Sequence, residues 1–208
     1  MDRRRFVRRS TGLVGSAVAL PALLDPRSVG AQAANTPNAM SATLASLKPI
    51  GPPVPAITDD ERHARIEKAR RLMAENKIDA IVLEGGTSMY YFTGVRWGNS
   101  ERTFAVVMPA RGELAWVTPA FEEQRARELI KQAKDVRVWQ EDESPYAVIA
   151  AILRDRGAGT GKIGMEERVR FFIFDGVRQQ LPQAQFVTAT PVTAGCRMIK
   201  SPAEIALM

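Results

Sequence analysis

Residues 78–83 form a short run with no internal glycine or proline, apolar but for Asp79 and unbroken from Ala80 to Leu83, and Glu84-Gly85-Gly86 stops it. A strand that does not alternate polar with apolar is one covered on both sides. Such a run commits the surrounding chain to a sheet held between helices, because helices crossing both faces are what keep it out of water.

The flanking sequence supplies those elements. Thr58-Asp59-Asp60-Glu61 reads as a capping box, the Thr58 hydroxyl accepting the amide of residue 61 while Glu61 reaches back to the cap. Ile66, Ala69 and Met73 then mark one apolar helical stripe. Residues 103–108 and 114–117 predict two strands, and Pro109-Ala110-Arg111-Gly112-Glu113 between them is hairpin-turn chemistry, so the pair is expected to be antiparallel. Thr118 and Pro119 read as the cap and first turn of a helix carrying Ala126, Leu129, Ile130 and Ala133. Residues 136–139 are the next strand. Ser144-Pro145 opens a helix with Ile149, Ile152 and Leu153 on one side and Gly157 placed to end it. A strand at 163–166, a helix bearing Phe171, Phe174, Val177 and Leu181, and a last strand at 185–190 complete the pattern. Strands alternating with helices imply parallel crossovers, and the hairpin adds an antiparallel element. The expected fold class is α/β, a mixed, mostly parallel sheet with helices on both faces, and there is no internal repeat.

At 208 residues the chain holds one domain with appendages. Its 45% hydrophobic and 25% charged residues are those of ordinary globular proteins. The net charge of +6 would invite a nucleic-acid partner, but most of it sits in residues 1–33, where Arg3, Arg4, Arg5, Arg8, Arg9 and Arg27 oppose only Asp2 and Asp25. No nucleic-acid partner is expected. Cys196 is the sole cysteine, which excludes an internal disulfide and a cysteine-based zinc cluster within one chain.

Arg3-Arg4-Arg5-Phe6-Val7 precedes an apolar stretch at 11–24, and Ala31-Gln32-Ala33 is a small-residue cleavage site, so residues 1–33 read as a signal peptide cut after Ala33. The stretch is too short for the roughly 20 residues of a membrane span. Paired arginines before an apolar position are similar to the twin-arginine export signal; the other reading is the basic start of a general secretion signal. Either sends the mature chain to the periplasm or outside the cell, with membrane contact only during export. Residues 34–57, rich in Ala, Ser, Asn and Pro, are expected to be a tether with little structure.

Ser201-Pro202-Ala203-Glu204 is a further organised helix start, followed here only by residues 205–208. Isolated helices below about 12 residues are marginal. The expectation is an element continued elsewhere; the alternative is a terminal turn docked through Ile205 and Leu207.

Little of the sequence carries chemistry. The glycines at 157, 159 and 161 before Lys162 miss the phosphate-loop spacing, since Arg156 stands where glycine is required and Ile163 where Ser or Thr is, and they read as a surface turn. His63, the only histidine, lies among charged residues and reads as solvated. Cys196 beside Arg197 has no histidine to pair with and reads as a structural thiol. Glu141-Asp142-Glu143 reads as a solvated acidic turn, because adjacent residues point their carboxylates apart. The connection from Glu84 to Arg102 is different. It is longer than the roughly 12–15 residues beyond which loops are usually functional, and it leaves the carboxyl end of a strand, where open α/β sheets bind ligands. Tyr91 and Phe92 within it read as core residues of a short helix. Arg96, Trp97 and Arg102 are the candidate site residues, offering guanidinium forks and an aromatic face to a carboxylate or a partner surface.

Ser88-Met89-Tyr90-Tyr91-Phe92-Thr93-Gly94, then Ser100-Glu101-Arg102-Thr103, Pro119-Ala120-Phe121-Glu122-Glu123 and, above all, the run from Cys196 through Ile199-Lys200-Ser201-Pro202-Ala203-Glu204 to Met208 resemble the N-terminal domain of Xaa-Pro peptidases of the creatinase, prolidase and aminopeptidase P family. The resemblance extends from about residue 58 to the end. It implies a creatinase/prolidase N-terminal-like domain over 58–200 and, at 201–208, the start of a C-terminal "pita-bread" catalytic domain absent from this chain. In the family that domain binds two divalent metal ions, such as Mn, Co or Zn, through two Asp, one His and two Glu. No such motif is present here, so no cofactor and no catalytic or metal-binding residue is expected in this chain. The resemblance also implies a homodimer formed through this domain, and a peptide substrate in the intact enzyme with Arg96, Trp97 and Arg102 at the pocket or the interface. A free-standing binding module working with a separate catalytic chain, and the front half of a creatinase-type amidinohydrolase, are the alternative readings.

Overall fold

The computed structural model describes residues 42–48, 51–131 and 134–208. The chain divides into two units, Met1–Pro52 and Pro53–Met208. In the first, the described structure is one short helix, α1 (Ala42–Ala45), within the stretch expected to be a tether. The signal-peptide reading falls on residues outside those described. Among the described residues no helix is long and apolar enough to cross a membrane.

The second unit is built on a six-stranded sheet in the order β4-β3-β2-β1-β5-β6, with β1 (Ala80–Glu84), β2 (Ala105–Pro109), β3 (Ala115–Pro119), β4 (Asp135–Trp139), β5 (Lys162–Met165) and β6 (Gln185–Thr188). β1 pairs antiparallel with β2 and β2 with β3, while β1 with β5, β3 with β4 and β5 with β6 are parallel. The sheet is mixed and mostly parallel, as the alternation of elements predicts. All five residues of β1 are buried. Successive side chains serve opposite faces. Ile81 and Leu83 join a core with α2 (Asp59–Asn76), α3 (Thr87–Thr93), α4 (Glu123–Leu129) and α7 (Thr190–Met198). Ala80 and Val82 join a second core with α5 (Pro145–Asp155) and α6 (Phe171–Gln180). Each fully buried Ile, Leu or Val stabilises the fold by about 1.5–3 kcal/mol, so the unbroken apolar run holds both layers at once.

Several local expectations are revised. Thr58 caps α2 by accepting the Glu61 amide at 3.2 Å, but the Glu61 carboxylate accepts the Ser201 hydroxyl at 2.6 Å rather than turning back to its own cap. Thr118 and Pro119 do not open a helix. They continue β3, whose parallel register with β4 runs through Thr118 opposite Val138 and Pro119 opposite Trp139, and α4 begins only after a 3-10 turn at Ala120–Glu122. Ala133, assigned to that helix, lies outside the described residues. The last strand ends at Thr188, and residues 190–198 form α7, with Pro191 in its first turn and Val192, Thr193 and Cys196 inward. On α6 Val177 faces the core as expected, with Phe174 packed against it and Leu181 buried at the helix end, but Ile173 takes the inward place at the start, and Phe171 is 75% exposed. At the end of the chain Pro202–Leu207 is a helix, α8, with its capping box formed.

Candidate functional site

β1 delivers Glu84 to the carboxyl edge of the sheet, where the chain turns sharply. Gly86, at φ +151°, adopts a backbone that side-chain-bearing residues rarely take, and it leads directly into α3. Gly94, at φ +74°, ends α3, its amide donating to the Tyr90 carbonyl at 2.8 Å. The connection from 84 to 102 is thus part helix, and its irregular portion is the return from Gly94 to Phe104.

The three candidate residues on that return face three different surroundings. Trp97 turns inward: it is 7% exposed, stacks on Phe104 with ring centroids 3.8 Å apart and planes 9° from parallel, and has the Arg125 guanidinium 4.5 Å from its ring. Arg96 is exposed and lies 4.8 Å from the ring centroid of Tyr90. Hydrogen bonding from Arg96 draws the Tyr90 hydroxyl below its ordinary pKa, against a smaller opposing effect of burial. Arg102 points toward the turn after β4, where it donates to Glu141 at 2.8 Å, pairs also with Glu101, and lies 4.8 Å from the Phe121 ring. Glu141 of the acidic turn is thereby engaged, and Glu143 accepts the Gln140 amide at 2.8 Å.

The strongest polar structure at this edge involves residues that sequence reasoning passed over. Glu84, 4% exposed, receives the Arg170 Nε at 2.6 Å and the Arg170 backbone amide at 3.1 Å, and a further contact from Arg170 Nη2 completes the pair. Arg170 also donates through Nη1 to the Ser100 carbonyl at 2.5 Å, tying the 94–104 return to the start of α6. At the neighbouring strand end, the Glu166 carboxylate accepts the Ser88 hydroxyl at 2.8 Å and the Arg168 amide at 2.9 Å. An acid closing a buried strand is the one sequence signal available, since a buried carboxylate requires a partner. Its identity, 86 positions away, is set by the crossover between β1 and β5. Ser100 links the two arginines, its carbonyl accepting the Arg170 guanidinium and its hydroxyl the Arg102 backbone amide. Each guanidinium also lies beside an exposed ring, Phe172 for Arg170 and Phe121 for Arg102, while its charge is met by Glu84 or by Glu141 and Glu101.

No group of three or more His, Cys, Asp or Glu is placed to hold a metal ion among the described residues. His63 is exposed on α2. Cys196 is fully buried, and burial pushes its thiol up to about 11, partly offset by the charges of Lys68 and Arg71. At pH 8 the native chain is expected to leave this thiol unlabelled by an aromatic disulfide reagent and to release one equivalent of chromophore once denatured. Labelling at the free-thiol rate without denaturant would contradict that burial.

The creatinase/prolidase N-terminal domain profile matches residues 65–199. The chain is 36% identical over 169 residues to an uncharacterized peptidase of Schizosaccharomyces pombe, covering 74% of this chain and 36% of that protein. It is 30% identical over 162 residues to the ectoine hydrolase of Halomonas elongata, covering 73% and 41%. It therefore spans well under half the length of these relatives. Among solved structures, the N-terminal domain of an Xaa-Pro dipeptidase from Lactobacillus brevis superposes with a TM-score of 0.58 at 18% identity, over 65% of this chain and 99% of that one, a likeness of fold.

Proposed function

Because the chain belongs to the creatinase/prolidase N-terminal domain family, we propose that it is the non-catalytic front domain of an Xaa-Pro metallopeptidase, pairing with a second copy and closing one side of the substrate pocket. The observation that carries this reading is the family match across most of the folded unit, joined to 36% identity with a peptidase of which the chain covers only about a third. Hydrolysis belongs, on this reading, to a metal-binding domain outside these 208 residues. Among the described residues no set of ligands fits the pair of Mn, Co or Zn ions that the family implies. Glu84 and Glu166 are held by Arg170, Ser88 and Arg168, and no cluster of ligands accompanies them. No step of the reaction is assigned to this chain. Arg96 presents charge to substrate or partner, Arg102 does so only by exchanging its pairing with Glu141 and Glu101, and Trp97 braces their loop from beneath.

The test is direct. Purified chain is expected to show no manganese- or cobalt-dependent cleavage of an Xaa-Pro dipeptide and to elute with the mass of a dimer by light scattering. Cleavage by this chain alone would overturn the division of labour, and a monomer at high concentration would remove the pairing. The front half of a creatinase-type amidinohydrolase is a second reading, favoured by the 23% identity over 155 residues with a creatinase of Bacillus sp.; assaying the complete enzyme on creatine beside the dipeptide separates the two. Export is proposed from the arginine pairs of the leader. Its check is the amino terminus of chain recovered from the periplasm, expected at Ala34; precursor retained in the cytoplasm would count against it.

A further inference from the structure

The turn from α7 to α8 is sparsely packed: Met198 and Ile199 are 74% and 76% exposed, and α8 has no buried residue. A helix of six residues does not persist unaided. What holds it lies on either side of the turn. On the α7 side, the Cys196 carbonyl accepts the Lys68 ammonium at 2.9 Å and the Tyr91 hydroxyl at 3.2 Å, satisfying a carbonyl near the helix end. On the α8 side, the Ser201 hydroxyl donates to Glu61 Oε1 at 2.6 Å. One oxygen of Glu204 accepts the Ser201 amide at 2.8 Å, and the other accepts Arg65 Nη2 at 3.1 Å. Arg65 joins the two sides. Its Nη1 donates to the Tyr91 carbonyl at 2.9 Å, its guanidinium lies 4.1 Å from the Tyr91 ring, and its Nε stands 3.9 Å from Glu61. Arg65 is 7% exposed, so these interactions are made largely out of water, where they are stronger than surface ion pairs.

We infer that Arg65 is a positioning residue: with Glu61 it locks the elbow between α7 and α8, so that α8 leaves the domain in a single direction through polar contacts alone. The contacts come entirely from α2 and α3, whereas Ile205 and Leu207 of α8 face outward at 62% and 49% exposure. Nothing apolar replaces the lock when it is removed.

Hydrogen exchange of the full chain, read by mass spectrometry on the segment 202–208, tests this. Wild-type α8 amides are expected to be protected relative to an unstructured peptide. Glu61→Ala and Arg65→Gln, which leave the α8 sequence untouched, are expected to reduce that protection by about 5–30-fold, the factor that loss of one or two such interactions gives. Amides of β1 and β5 should keep their wild-type rates. Free-chain exchange of wild-type α8, or wild-type protection in Glu61→Ala, overturns the inference. If Arg65→Gln unfolds the domain, seen as loss of β1 protection, Glu61→Ala decides alone.

Discussion

Phe104→Ala is expected to lower the free energy of unfolding by about 3–5 kcal/mol, a large share of the roughly 5–15 kcal/mol available to a domain of this kind. Phe104 is buried where the return from α3 meets the sheet, stacked on Trp97 and tilted against Trp116 at a centroid distance of 5.6 Å. Removing the ring deletes its own burial and leaves a cavity between two indoles that the backbone of β2 cannot close, because residues 105–107 are fixed in register to β1 and β3. The loss should appear in chemical denaturation followed by tryptophan fluorescence, since Trp97 and Trp116 both line the cavity. Phe104→Leu, which keeps most of the volume, should cost much less. An unfolding free energy for Phe104→Ala within about 1 kcal/mol of wild type would mean that Trp97 is not anchored as described.

What the sequence reveals of this fold follows from how local each signal is. β1 and the hairpin of β2 and β3 were legible because an unbroken apolar run and a glycine-containing turn act over a few neighbouring residues. α5 was legible because its cap, Ser144, does bond the Ala147 amide, at 3.3 Å. α7 was not, because its sequence is β-branched and glycine-containing at 190–195, and what makes it a helix is burial of Val192, Thr193 and Cys196 against α2. Thr118-Pro119 misled for the converse reason: a cap-like pair was drawn into β3 by pairing with β4, which no nearby residue announces. At the carboxyl edge, the sequence pointed to the right segment through its length and its place after β1. It did not show that Trp97 packs inward or that Arg102 is shared with Glu141, because both depend on partners from other crossovers.

The pair of Glu84 and Arg170 is the sharpest case of that dependence, and its removal should be costly in an asymmetric way. Arg170→Met keeps much of the side-chain bulk but leaves the Glu84 carboxylate, 3% exposed in its side chain, with only the backbone amide of residue 170 as a donor. Breaking a buried pair by deleting one partner costs about 3–5 kcal/mol, because the remaining carboxylate is left buried without its counter-charge and cannot reach water. Adding Glu84→Gln to that variant removes the stranded charge, so the double variant is expected to be more stable than Arg170→Met alone, although it carries one more substitution. Unfolding of wild type, Arg170→Met, Glu84→Gln and the double variant closes a double-mutant cycle in which the coupling is read directly. A second consequence separates this pair from an ordinary stabilising contact. Arg170 also holds the Ser100 carbonyl, so both variants lacking the guanidinium should show faster amide exchange around residues 98–103 even where the double variant has recovered global stability. Equal stabilities for wild type and Arg170→Met would show that the carboxylate finds another partner, and an unchanged loop in the double variant would show that Ser100 is held by something other than this arginine.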